Sequence, residues 1–169
     1  GSNIYENFFD MVITNNKFFN LDDYGIFFGA TYGFRSVTID VIGNTFSDIN
    51  NAFPYGLYVN GNMYYTTAND SSFQMTLMNN QVRDLTDYVI YITGNIYDFR
   101  NVTILINGNE FNDTISNYIN YGVLLQSVFY QSNAYDNFFD MEITNNRFYN
   151  LDDSGFRMGS IYGFRRVSI

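Results

Sequence analysis

NFFDMVITNNKFFNLDDYGIFFGATYGFRSVTI occupies residues 7–39, and NFFDMEITNNRFYNLDDSGFRMGSIYGFRRVSI occupies residues 137–169. The two stretches agree at 22 of 33 positions and start 130 residues apart (137 minus 7). Self-similarity at a fixed period is the signature of a solenoid, in which one supersecondary unit is stacked on copies of itself. Inside this period runs a finer one, carried by MVITNNKFFNL (11–21), IDVIGNTFSDI (39–49), MTLMNNQVRDL (75–85), ILINGNEFNDT (104–114) and MEITNNRFYNL (141–151). One asparagine is fixed in all five, at Asn16, Asn44, Asn80, Asn109 and Asn146, with successive gaps of 28, 36, 29 and 37 residues. Short and long units therefore alternate. Gly33-Phe34-Arg35, Asp98-Phe99-Arg100 and Gly163-Phe164-Arg165 mark the same two-unit period, each 65 residues after the last.

Each unit holds a second run, seen in Gly25-Ile26-Phe27-Phe28, Gly56-Leu57-Tyr58-Val59, Val89-Ile90-Tyr91-Ile92, Gly122-Val123-Leu124-Leu125 and Gly155-Phe156-Arg157-Met158. Apolar residues alternating with period two read as strands with one buried face, and no stretch carries a capped stripe of period 3.6. A unit of two clear strands and one short strand cannot bury its own apolar face, so the units must stack. The expected fold is all-β, a parallel β-helix solenoid of about five coils that alternate between 28–29 and 36–37 residues. Phe18, Phe46, Val82, Phe111 and Phe148 form one expected inward column, and Ile26, Leu57, Ile90, Val123 and Phe156 another. The five fixed asparagines are expected to form a ladder, with amides about 4.8 Å apart bonding along the axis and the side chain tolerating left-handed turns.

Composition agrees with this reading. Hydrophobic residues make up 46% of the chain and aromatic residues 20%, far from the profile of a disordered segment. Asparagine occurs 25 times, as suits a chain of short strands and tight turns. The absence of cysteine excludes disulfides and thiolate metal sites, and the absence of histidine removes the usual general base. A net charge of −9 with only eight Lys and Arg argues against nucleic acid, and no apolar run is long enough for a membrane helix. Residues 1–169 read as a single solenoid, expected to be a piece of a longer array in which Gly1-Ser2 is a cloning scar.

The coil chemistry resembles the right-handed parallel β-helix of the pectate-lyase-like and periplasmic copper-protein-like repeats, where a turn asparagine recurs once per coil. The Asn- and Tyr-rich style is most similar to adhesin-like surface proteins of archaea and bacteria. That resemblance implies an extracellular or cell-surface location and a structural role. It also implies an alternative, a polysaccharide lyase or hydrolase of the β-helix class.

Four groups of residues are candidates for chemistry. Asp22, Asp23, Asp152 and Asp153 sit in matching turns that could offer oxygen ligands to calcium, although such aspartates also bond their own backbone; no other cofactor is expected. Arg35, Arg100 and Arg165 recur on every second coil, suited either to an acidic polymer or to neutralising nearby Asp. Phe27, Tyr58, Tyr91 and Leu124 are expected to face outward, with Arg157 ending the series, as an apolar patch that needs a loop or a partner. The long units add loops at 60–72 and 125–137 that place Tyr64-Tyr65 and Phe129-Tyr130 at equivalent sites, as exposed platforms for sugar rings. Sequons at Asn69, Asn101 and Asn112 are expected by chance in so Asn-rich a chain. The expected function is a non-enzymatic stalk or adhesin segment that contacts glycans or a cell-surface partner. End-to-end self-association into filaments is the third reading, since a coil without a polar cap leaves open sheet ends.

Overall fold

A computed structural model describes residues 7–29, 31–47, 55–60, 63–64, 71–112, 114, 119–126, 128–131 and 137–169, with only the backbone described at 31, 32, 64 and 128. The described chain is all-β and winds as a parallel β-solenoid with four walls. The first sheet has six strands (Phe8–Thr14, Ser36–Ile42, Ser72–Met78, Asn101–Asn107, Phe138–Thr144, Arg166–Ser168), all parallel and in sequence order. The other three sheets have five strands each, one per level, in the same order. The second is built from three-residue strands such as Gln81–Arg83, the third from longer ones such as Tyr88–Thr93, and the fourth from short ones such as Asn95–Tyr97.

Alternation sets the core. Ser36–Ile42 is buried at every second residue, and its inward Val37, Ile39 and Val41 are almost wholly excluded from solvent. Register stacks Phe9, Val37, Phe73, Val102, Phe139 and Val167 in one inward file, so a large residue and a small one take turns level by level. Met11, Ile39, Met75, Ile104 and Met141 alternate in the same way. The turn phenylalanines Phe34, Phe99 and Phe164 explain the 65-residue marker. Each packs its ring against the large residue of its own level: Phe9 at 5.6 Å, Phe73 at 5.9 Å and Phe139 at 5.6 Å.

Both expected inward columns are present in register. The phenylalanine column stacks face to face where rings are neighbours, Phe18 on Phe46 at 4.8 Å and Phe111 on Phe148 at 5.0 Å. Opposite it runs a glycine position. A Cβ on Gly56 would come within 3.5 Å of the Phe46 ring, and one on Gly155 within 2.7 Å of the Phe148 ring. The third level departs from this pairing at both places at once, with Val82 in the phenylalanine column and Val89 in the glycine column, both buried. Two medium side chains replace one large and one absent, which keeps the local volume.

The asparagine ladder runs the length of the described solenoid. The backbone N–H and the Nδ2 of one asparagine both donate to the Oδ1 of the next. The distances are 2.9 and 3.2 Å from Asn16 to Asn44 and the same from Asn44 to Asn80; they are 2.9 and 2.9 Å from Asn80 to Asn109 and from Asn109 to Asn146. The second Nδ2 hydrogen reaches back to a carbonyl of the level below, from Asn44 to Ile13, Asn80 to Val41, Asn109 to Leu77 and Asn146 to Ile106. One detail corrects the sequence reading: the left-handed backbone belongs to the residue before each ladder asparagine. These are Asn15, Gly43, Asn79, Gly108 and Asn145, with φ between 55° and 67°. Glycine alternates with asparagine there because a Cβ on Gly43 or Gly108 would collide with the amide oxygen of Asn15 or Asn79.

Candidate functional site

Ordered chemistry on the outside of the solenoid concentrates on the third sheet. Its strands begin Tyr24-Gly25-Ile26-Phe27, Tyr55-Gly56-Leu57-Tyr58, Tyr88-Val89-Ile90-Tyr91 and Tyr121-Gly122-Val123-Leu124. A regular strand would send residues i and i+3 to opposite faces. Here two successive residues point inward, as the burial of Gly56-Leu57, Val89-Ile90 and Gly122-Val123 shows. The leading tyrosine and the residue three places later therefore share the outer face.

The result is a double file of rings. Tyr24, Tyr55, Tyr88 and Tyr121 stack in order at 5.2, 5.7 and 5.4 Å between centroids, with planes 23°, 9° and 7° apart. Beside them Phe27 meets Tyr58 edge-on at 5.6 Å, and Tyr58 stacks on Tyr91 at 5.2 Å and 6°. Cross-links between the files are as close, Tyr55 to Tyr58 at 5.0 Å and Tyr88 to Tyr91 at 4.7 Å. The outward set Phe27, Tyr58 and Tyr91 thus lies in one file, as expected. Leu124 continues it but is only 7% exposed, and Phe27 at the other end is 54% exposed. Stacked rings turn their faces to one another and their edges and hydroxyls to solvent.

Carboxylates and amides rim the face. The Tyr121 hydroxyl donates to Asp153 Oδ2 at 2.5 Å, and the Tyr91 hydroxyl donates to Gln126 Oε1 at 2.5 Å. Asn120 donates to Asp87 at 2.8 Å, and Asp87 is also hydrogen-bonded to Tyr55. At the fifth level Tyr121 gives way to Ser154 and Leu124 to Arg157. The Arg157 guanidinium lies 5.8 Å over the Tyr121 ring and donates to its hydroxyl at 3.1 Å. Tyr88, Tyr121, Leu124, Gln126, Arg157, Met158 and Gly159 enclose a hollow of about 240 Å³ at this end.

The electrostatics follow from crowding. Partial burial, Asp87 and the neighbouring phenols push the Tyr55 hydroxyl up to about 12, and burial with nearby acidic groups raises Tyr24 and Tyr88 too. Burial raises Asp87 against the lowering pull of its bonds to Asn120 and Tyr55. Asp153 moves the other way, held low by hydrogen bonds from Tyr121 and Ser154 and by Arg157. The face is apolar along the stack, and hydroxyls, carboxylates and amides make its rim polar.

The fourth sheet requires two corrections. Phe129 is not an exposed platform: it is 0% exposed, in the inward file with Met63, Ile96 and Ile161, and packs edge-on to Phe139 at 5.1 Å. The residue equivalent to Tyr64 is Tyr130, and the file Tyr32, Tyr64, Tyr97, Tyr130 and Tyr162 has one tyrosine at every level rather than at every second. The physical reason is that the start of each long loop is a strand of the wall, so alternation turns Phe129 inward and Tyr130, 40% exposed, outward. Tyr65, Asn69 and the tips of the long loops lie outside the described residues.

The acidic pairs do not come together. Asp22-Asp23 belongs to the first level and Asp152-Asp153 to the fifth, about 19 Å apart along the axis at the spacing of parallel strands. Asp153 is engaged with Tyr121 and Ser154. Among the described residues no group of three or more Asp, Glu, His or Cys is placed to hold a metal ion. The Tyr24, Tyr55, Tyr88 and Tyr121 file escaped the sequence reading because strict alternation puts those residues on the inner face. The signal was present in the Tyr-Gly pair, repeated at three of four levels.

No protein-family model matches this chain, and neither does any curated protein or solved structure.

Proposed function

We propose that the chain is a non-catalytic segment of an extracellular repeat protein, a stalk whose third-sheet face binds glycans or another cell-surface partner. The observation that carries this reading is the double file of stacked rings ending in the hollow beside Arg157. Tyrosine gives large amphipathic contact area with few rotatable bonds, and rings already stacked on their neighbours have little rotamer entropy left to lose on binding. Exposed edges and hydroxyls suit hydroxyl-rich ligands, and the hollow adds a guanidinium and an amide to fix orientation. Glycan-array binding tests the reading. Binding that is lost in Tyr121→Ala and in Tyr88→Ala, but kept in Tyr130→Ala, supports it. A blank array, or binding indifferent to the third sheet, contradicts it. An absorbance rise from unsaturated products on incubation with pectin or alginate would instead support the lyase alternative.

Self-stacking is the second reading, favoured by apolar exposure at both ends of the coil. The inward Phe9, Met11, Ile13 and Phe18 are only half-buried at the first level, whereas Val37, Ile39, Val41 and Phe46 of the second are buried, and the inward Val167 is open at the last. Placing Phe9 of a second copy after Val167 would continue the large-small alternation of the first sheet. Light scattering that grows with protein concentration, and falls in Met11→Glu, supports this assembly; a concentration-independent mass contradicts it.

A further inference from the structure

We propose that Arg100, Arg165 and Arg166 form an anion-binding site at the edge where the fourth sheet turns into the first, taking one carboxylate or sulfate group of an otherwise neutral glycan. Arg100, Arg165 and Arg166, with Asn137 and Phe138, line a concave site of about 410 Å³. Three of the chain's eight cationic residues thus meet at one place on a molecule of net charge −9. A surface of that overall sign repels a long polyanion, while a single charged group can approach a local cluster of like-signed arginines.

The site is anchored by buried polar side chains from intervening levels. Arg100 N–H donates to Ser71 Oγ at 2.9 Å, and Arg165 N–H donates to Asn137 Oδ1 at 2.5 Å. Asn137 is fully buried and also holds the Gly163 carbonyl through Nδ2 at 2.9 Å. Arg100 and Arg165 stand two levels apart, about 9.6 Å at parallel-strand spacing, with the level of Phe138 between them. Arg166 leans across that gap: its guanidinium sits 5.3 Å over the Phe138 ring, which holds a planar donor fork at the mouth of the site. Planar guanidinium groups match carboxylate and sulfate geometry in pairs.

The site breaks the repeat. Arg35, Arg100 and Arg165 are periodic, but the residue after them is Ser36, then Asn101, then Arg166. Between the first two periodic arginines the position of Phe138 is held by Ser72. The equivalent place one repeat earlier therefore lacks both the third cation and the ring beneath it.

The test is titration of the chain with three probes, galacturonate, galactose 6-sulfate and neutral galactose, read by NMR at the arginine side-chain N–H groups. Shifts of Arg166 and Arg165 with an anionic probe, absent with galactose, are expected, with affinity at least tenfold weaker in Arg166→Gln. Response to galacturonate alone assigns a uronate and response to galactose 6-sulfate alone a sulfated sugar. Arg35→Gln, which removes an equal charge outside the site, should leave affinity unchanged, and Tyr121→Ala should too, which separates this site from the third-sheet face. No arginine shift with either anion, or equal weakening by Arg35→Gln, overturns the proposal.

Discussion

The asparagine file and the tyrosine file are columns of one residue type at the same spacing, one inside the wall and one outside. Inside, the amides of Asn44, Asn80 and Asn109 are closed by neighbours above and below, so a different residue at any of these levels leaves buried groups without partners. Outside, each tyrosine has neighbours above and below but solvent in front, and solvent accepts almost any side chain. At the fifth level the inner files continue with Asn146, Phe148 and Phe156, whereas the outer ones change to Ser154 and Arg157. The comparison of 7–39 with 137–169 tells the same story. Ile26 against Phe156 and Phe28 against Met158 keep an apolar character, while Val12 against Glu142 and Phe27 against Arg157 do not. Inner repetition is required by coiling; outer repetition over four levels, which coiling does not require, points to a surface with a use.

The largest effect is expected from breaking the inner file at its centre. Asn80→Ala removes the acceptor of the Asn44 N–H and Nδ2 in a buried site, at a cost of about 3 kcal/mol. Asn16→Ala, at the solvent-exposed end of the ladder, should cost about 1 kcal/mol. Equal costs in chemical denaturation would remove the distinction between interior and end. A smaller effect tests volume exchange. Val82→Phe should destabilise by roughly 2 kcal/mol through overpacking against Val89, and adding Val89→Gly should recover most of it. If the double variant is no better than the single, the Phe/Gly pairing is coincidental.

Outer-file changes should cost less stability and more binding. Tyr88→Leu loses stacking on Tyr55, Tyr91 and Tyr121 and should cost about 1 kcal/mol in the same denaturation series. A loss as large as that of Asn80→Ala would make the face a structural element like the ladder. The mildest effect is that of pH. Because Tyr55 holds its proton more tightly when folded, its contribution is complete below pH 10 and is lost as pH rises through about 12. Phenolate absorbance should therefore show a late-ionising class that loses its latest member in Tyr55→Phe. Asp153 has the opposite sign: its lowered value adds stability above the ordinary carboxylate range, lost as pH falls through it.

Sequence carried the inner architecture because inward alternation is read residue by residue and stacking only copies it. The period, the ladder and the columns of Phe18 and Ile26 were all legible in that way. The outer face was legible only in part. Phe27, Tyr58 and Tyr91 follow alternation, but Tyr24, Tyr55, Tyr88 and Tyr121 reach the surface through a doubled inward position that a period of two does not contain. Phe129 failed for the converse reason, since a stretch read as loop is wall. The left-handed turn residues were displaced by one place because two adjacent asparagines at Asn15-Asn16 and Asn79-Asn80 do different work.

All of these files depend on consecutive levels lying in register, and the ladder reports register atom by atom. The direct measurement is the NMR scalar coupling transmitted across a hydrogen bond from a backbone nitrogen to the carbon of its acceptor. The account predicts coupling from the Asn44 nitrogen to the side-chain carbonyl carbon of Asn80, and from the Asn80 nitrogen to that of Asn109. Coupling of those nitrogens to backbone carbonyls instead, or rapid exchange of both amides with solvent, would contradict it.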